Sequence, residues 1–271
     1  MDGRPIGVFD SGLGGLTVVR ALIDLLPDEH LVYFGDTGRF PYGPKPREQV
    51  LKYAFEITEL LMGHDVKLVV VGCNSAAAAA LTELRGRYDV PLTGVIEPGL
   101  RAAAKATRTG RIGVIGTVGT IASGAYQRAA EALFPHVELT CAACPGFVEF
   151  VEAGDVDSDQ VVVLAERLLA PVRAAGVDTL VLGCTHYPLL ARTIGDVMGP
   201  SPNGERVVLV SSGEETAFEV AAVLDAVGAR RRPEGLPRRV FLTSGDPDTF
   251  RTLGSRFIGP EVETVEAWRW S

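Results

Sequence analysis

Two short stretches govern what this chain can fold into: Leu68-Val-Val-Val-Gly-Cys-Asn-Ser75 and Leu180-Val-Leu-Gly-Cys-Thr-His186. Each is an apolar run that ends in Gly, then Cys, then two small or polar residues, and each leads into sequence suited to helix. Continuous apolar runs of this length fit strands of a parallel sheet covered on both faces. The thiol then falls where the strand stops and the helix begins, the edge at which such sheets hold ligands. Helix N-termini carry free N–H groups and partial positive charge, which favour a thiolate and attract anions. Taken singly, either Cys reads as a buried structural residue, because free Cys is among the most buried residue types. Their repetition points to a symmetric site, with the Cys73 and Cys184 thiols on either side of a small anionic substrate.

The rest of the chain follows the same alternation. A strand is expected over 6–9, then the turn Asp10-Ser-Gly-Leu-Gly-Gly15 and an amphipathic helix from Leu16. A second strand over 31–34 ends in a loop dense in Gly and Pro over 35–43. A helix over about 46–62 leads to the first cysteine strand, an alanine-rich helix over 76–87 follows it, and a strand over 91–95 ends at Glu97-Pro-Gly. From Arg111 the order restarts, since Ile112-Gly-Val-Ile-Gly-Thr-Val-Gly-Thr120 repeats the strand and small-residue turn of the N-terminus. This is an internal repeat of domain size. The sequence is therefore expected to form an α/β fold of two pseudosymmetric lobes, each a mainly parallel sheet flanked by helices. The first lobe takes residues 1–97 with 208–271 and carries Cys73; the second takes 98–207 and carries Cys184.

Composition narrows the function classes. A length of 271 residues suits two buried cores. The net charge of −8 and the lack of a Lys/Arg cluster argue against direct nucleic-acid binding. No basic leader precedes a long apolar core, and no apolar run approaches the ~18 residues of a membrane span, so a cytoplasmic protein is expected. Four cysteines in a chain of this size are no disulfide framework and are expected to stay thiols.

Several motifs admit plainer readings. Asp10 to Gly15 after a strand, with Asp36 about 20 residues on, is the spacing of a dinucleotide turn with its ribose-binding acid. Thr17 stands where the third glycine belongs, so a small-ligand loop is the preferred reading, with a helix cap by Asp10 or Ser11 as the bland one. Cys141-Ala-Ala-Cys144 has a redox or zinc spacing, but no further ligands are at hand and Cys141 follows a strand-like run. Glu152 lies in a half-apolar helical stretch and by itself reads as a solvated face. His186 gives Cys184 a titratable neighbour, and Asp10 can do the same for Cys73. His30, His64 and His136 read as surface residues.

In order along nearly the whole chain, Phe9-Asp-Ser-Gly-Leu-Gly-Gly-Leu-Thr, Gly35-Asp-Thr with Pro41-Tyr-Gly, Cys73-Asn-Ser, Gly116-Thr-Val-Gly-Thr, Gly183-Cys-Thr-His-Tyr-Pro-Leu and Thr243-Ser-Gly-Asp-Pro together resemble the glutamate racemases. The resemblance implies two α/β lobes with the active site in the cleft between them, and a homodimer. It implies that no pyridoxal phosphate, metal or nucleotide takes part. By motif position Cys73 and Cys184 match the two catalytic bases, with Asp10, His186 and Glu152 in supporting catalytic positions, Glu152 as partner of His186. Asp10, Ser11, Tyr42, Gly43, Asn74, Ser75, Thr117, Thr120, Thr185 and His186 match substrate-binding positions. Ser75 and Gly38 depart from the family, which more often has Thr and Ala there. Such a protein interconverts L- and D-glutamate for peptidoglycan synthesis. Because some members restrain DNA gyrase, a gyrase-binding role stands beside the catalytic one, as does a nicotinamide enzyme built on Gly12, Gly14 and Asp36. Only five residues precede the first strand, so no site for a peptidoglycan-precursor activator is expected.

Overall fold

The computed structural model describes residues 1–270. In chain order the elements are β1 (Ile6–Asp10), α1 (Leu16–Leu25), β2 (Leu31–Gly35), α2 (Arg47–Gly63), β3 (Leu68–Val71), α3 (Asn74–Arg87) and β4 (Leu92–Gly94). Then come α4 (Ile96–Ala106), β5 (Arg111–Gly116), α5 (Val118–Ala122), α6 (Ala125–Leu133), β6 (Glu138–Ala143), α7 (Phe147–Ala153), α8 (Asp159–Ala174), β7 (Thr179–Gly183), α9 (Ala191–Met198) and β8 (Val208–Ser211). The chain closes with α10 (Ser212–Ala226), β9 (Arg239–Thr243), α11 (Pro247–Ile258) and β10 (Val265–Ala267). The residues form two compact units, one of Met1–Val95 with the described residues from Gly213 onward, the other of Ile96–Ser212.

The first unit is built on a six-stranded sheet in the order β10-β9-β2-β1-β3-β4, and the second on a four-stranded sheet in the order β6-β5-β7-β8. Every strand pair in both is parallel. The second sheet repeats the β2-β1-β3-β4 order of the first, so the α/β fold expected from the repeated strand and turn is borne out. Burial explains why the central strands read so plainly. All residues of β1, β3 and β7 are buried, as a sheet covered on both faces requires. Each Val or Leu so buried stabilises its unit by about 1.5–3 kcal/mol. By contrast, the edge strands β6 and β8 are half-exposed and carry polar positions. Helices α2 and α3 pack together in the first unit, as do α1 and α11, and α8 packs on α9 in the second.

One boundary differs from expectation. Placing the lobe junction at 208 assigned the strand after Val207 to the first lobe, but β8 pairs with β7, Thr179 to Leu182 against Val208 to Ser211. A lone apolar run cannot announce which sheet accepts it, since that choice is made by backbone groups far away in sequence. Likewise Glu97-Pro-Gly does not end a strand: it lies in the first turns of α4, where proline is tolerated because the N–H it lacks has no partner there. Among the described residues no helix is long and apolar enough to cross a membrane.

Candidate active site

In the first unit β1 and β3 lie side by side, Phe9 opposite Val71, and β2 ends level with β1, Gly35 opposite Asp10. Their C-terminal ends therefore gather Asp10, Ser11, Cys73, Asn74 and Ser75, all buried. Gly72 continues the ladder by donating to Phe9 O at 2.8 Å. Cys73 is the N-cap residue of α3, which begins two residues earlier than its alanine run suggests and so carries Asn74 and Ser75 in its first turn. The thiol donates to Ser11 Oγ at 3.6 Å, and Ser11 Oγ donates to Asp10 Oδ1 at 3.5 Å. Asp10 Oδ1 also accepts the Gly12 N–H at 2.8 Å. The turn is held from behind by Tyr33, whose hydroxyl donates to Gly12 O at 2.8 Å, a tie that nothing in the local sequence signals.

Burial pushes the Cys73 thiol up to about 12, and the Asp10 carboxylate pushes in the same direction, outweighing the helix N–H of Ala76 and the contacts with Ser11. An anion beside a thiol opposes a second negative charge; what Asp10 offers is an acceptor, reached through Ser11, for a proton the thiol gives up.

The second unit repeats this placement with different chemistry. Gly116 lies opposite both Gly183 and Ala143, so Thr117, Cys184 and Cys144 leave three adjacent strands at one edge. A Cβ at Gly183 would stand 2.6 Å from Ile115 O, which is why glycine precedes the cysteine here. Cys184 is 7% exposed and its Sγ lies 3.9 Å from His186 Nδ1. His186, 2% exposed, turns its Nε2 to Glu152 Oε1 at 2.7 Å. In the tautomer with its proton on Nε2, His186 donates to Glu152 and Nδ1 presents a lone pair to the thiol. Glu152 comes from α7, and its side chain is 24% exposed, so the solvated-face reading captured only its outer edge. Thr117 caps α5: its Oγ1 accepts the Thr120 N–H at 3.3 Å and lies 3.0 Å from Thr120 Oγ1. Thr185 is buried between the cysteine and the histidine.

Residues 6–217 match the Asp/Glu/hydantoin racemase family. The chain belongs to that family. It is 54% identical to the glutamate racemase of Mycobacterium leprae over 266 residues, 98% of this chain and 96% of the relative. Among solved structures, a glutamate racemase isoform from Bacillus anthracis superimposes with a TM-score of 0.92 at 39% identity, covering 100% of this chain and 98% of that one. The glutamate racemase of Francisella tularensis, solved in complex with D-glutamate, gives 0.90 at 31% identity, covering 99% and 98%. The resemblance drawn from the ordered motifs is thus borne out.

Two racemase-family motifs more than 200 residues apart turn out to hold each other. Thr37 Oγ1 lies 2.7 Å from Thr243 Oγ1, Ser244 Oγ donates to Asp36 Oδ1 at 2.6 Å and accepts the Gly38 N–H at 2.9 Å. At Gly38 a Cβ would meet Ser244 O at 2.6 Å, so the close approach of these loops favours glycine there. Asp36 is fully buried among donors, which overturns its reading as a ribose-binding acid: its oxygens are already engaged within the fold. Tyr42, also buried, gives its hydroxyl to Asp36, with Gly43 buried beside it. Burial and that neighbouring carboxylate push the Tyr42 phenol well above its ordinary value, so it acts as a donor and not as a base.

Cys141 lies inside β6 and Cys144 just past its end, both as free thiols. Burial raises them to about 11 and about 12. Tyr187 donates to Cys144 O at 3.0 Å, so this segment anchors the loop that carries His186. Among the described residues no group of three or more His, Cys, Asp or Glu side chains is placed to hold a metal ion. Both ring nitrogens of His30 face donors, Nε2 at 3.1 Å from Arg231 Nε and Nδ1 at 2.7 Å from the Arg238 backbone nitrogen, and a neutral ring accepts from one of the two. It is held within the fold by these contacts, where a surface residue was expected.

Proposed function

We propose that this chain is an isomerase that interconverts L- and D-glutamate without a cofactor, each of its two strand-end thiols serving as acid or base on one face of the α-carbon. The observation that carries the reading is that each thiol heads its own proton path: Cys73 through Ser11 to Asp10, Cys184 to His186 and on to Glu152. Removing a weakly acidic α-proton from one face and returning another to the opposite face needs a base and an acid that can exchange roles.

With L-glutamate bound, Cys184 passes its proton to His186, and the thiolate takes the α-proton. The electron pair spreads into the α-carboxylate, where Ser11, Asn74, Ser75, Thr117 and Thr185 supply donors fixed before the charge develops. Cys73, held as a neutral thiol by burial and by Asp10, then gives its proton to the other face. D-glutamate runs the steps in reverse: Asp10 receives the Cys73 proton through Ser11, and the ammonium of the bound substrate offsets the charge that otherwise opposes the thiolate. Proton exchange with water returns both thiols to their starting states.

A site lined by short polar side chains discriminates by donor distance, so aspartate, shorter by one methylene, leaves buried donors unpaired and is a poor substrate. The product serves peptidoglycan synthesis in the cytoplasm, and the working assembly is a homodimer, which sedimentation of the purified protein checks. Circular dichroism of L-glutamate with purified protein and no added cofactor tests the whole reading. The signal should decay to zero, and Cys73→Ala or Cys184→Ala should each hold it flat. A constant signal with folded wild-type protein overturns the proposal.

A further inference from the structure

Asp36 has no part in the proton transfers, yet its buried carboxylate collects four side-chain donors from separate stretches of the first unit. Oδ2 accepts the Tyr42 hydroxyl and Arg39 Nε, the latter at 2.7 Å; Oδ1 accepts Ser244 Oγ at 2.6 Å and Trp270 Nε1 at 3.2 Å. Trp270 lies beyond β10, far in sequence from the loop after β2. Its ring centroid lies 3.8 Å from the Arg39 guanidinium carbon, and the ring of Tyr53 in α2 lies 3.9 Å from the same carbon. It also meets Phe34 edge-on, with ring centroids 5.4 Å apart. Arg39 is tied in turn to Glu56 of α2. Its Nη2 is buried with no hydrogen-bond acceptor among the described residues, which leaves the aromatic faces to stabilise that part of the cation.

We propose that Trp270 is a positioning residue for the Tyr42–Gly43 pair, acting through Asp36 and Arg39, so that the segment after β10 fixes one side of the substrate pocket. The proposal rests on the reading of Tyr42 and Gly43 as substrate-binding residues. A buried carboxylate holds its geometry only while its charge is fully met by donors. Removing the indole takes one donor from Oδ1 and one of the two aromatic rings from Arg39. Asp36 and Arg39 then relax toward new partners, and Tyr42, bonded to the same carboxylate, moves with them. None of these groups touches the reacting carbon, so the effect falls on substrate binding and leaves the chemical step alone.

The test compares Trp270→Ala and Trp270→Phe with wild type by steady-state kinetics and by hydrogen exchange read by mass spectrometry. For Trp270→Ala, KM for glutamate should rise about tenfold, the effect of losing one buried charge-assisted contact. Its kcat should stay within about twofold, since the chemical groups are untouched. Peptides covering 36–45 should exchange faster, while those of β1 and β3 keep wild-type protection. Trp270→Phe keeps a ring over Arg39 but lacks the N–H that Asp36 accepts, so it should recover only part of both effects. Unchanged KM and unchanged exchange at 36–45 overturn the proposal. So does a uniform loss of protection across the first unit in both variants, which is plain destabilisation. Should wild type itself fail to racemise glutamate, the racemase reading falls, and exchange at 36–45 still decides whether Trp270 fixes that loop.

Discussion

The state of the Cys73 thiol offers the sharpest quantitative handle on this site. Burial and the Asp10 carboxylate raise it to about 12. At pH 8 a thiol of ordinary pKa near 8.5 is about one-quarter ionised, whereas one near 12 is ionised in about one molecule in ten thousand. Because the thiolate is the species alkylated, Cys73 should react with iodoacetamide on the order of 2,000-fold more slowly than a free thiol at that pH. Burial also hinders access, so the diagnostic quantity is the slope: labelling of the Cys73 peptide, followed by mass spectrometry, should climb about tenfold per pH unit up to about pH 11. Asp10→Asn removes the neighbouring anion and should move the profile to lower pH. A wild-type rate that levels off below pH 9, or an Asp10→Asn profile displaced to higher pH, would refute the assignment of a protonated resting thiol.

Two further outcomes follow from the second unit. Glu152→Gln leaves an acceptor for His186 Nε2 but removes its charge, so kcat/KM should fall about tenfold. Enantiomers are isoenergetic in water, so the fall must be equal from either one; a variant at wild-type efficiency in paired dichroism assays denies Glu152 its role. Burial acts to raise Asp178, but hydrogen bonds from Thr107 at 2.6 Å and from the N–H groups of Arg108 and Thr109 at 2.9 and 2.8 Å win, holding it at about 2. A carboxyl held below its unfolded value of 3.8 stabilises the fold above that pH and loses the contribution as pH falls toward about 2. Solvent screening reduces the effect of that shift, so Asp178→Asn should cost about 1 kcal/mol in urea denaturation at pH 7, and the gap to wild type should close between pH 4 and pH 2. A variant as stable as wild type at pH 7 counts against this.

What was legible in the sequence divides along physical lines. Central strands such as β3 and β7 announce themselves because burial on both faces leaves only apolar residues, and the turns after them because close backbone approach, as at Gly183, admits only glycine. The catalytic candidates were legible as ordered motifs, since strand-end placement follows from local sequence. Contacts made across a unit were not. Asp36 stands at the spacing of a ribose acid until Trp270, Ser244, Arg39 and Tyr42 are seen to occupy it; Glu152 reads as solvent-facing until His186 reaches it. The three-residue β10 carries too short a pattern to register. The allotment of β8 to the second sheet depends on its pairing with β7. Nor does a cysteine's identity reveal whether a neighbouring carboxylate will promote its ionisation or oppose it.

The central claim is that two thiols, Cys73 and Cys184, work on opposite faces of one carbon, and isotope flow tests it most directly. In deuterated water at low conversion, mass spectrometry of the separated enantiomers should find deuterium at the α-carbon of nearly all the product. Recovered substrate should stay largely protiated, because the abstracting thiol does not exchange its proton instantly. A product that is mainly protiated would mean one base carries the original proton from face to face, contradicting the two-thiol account.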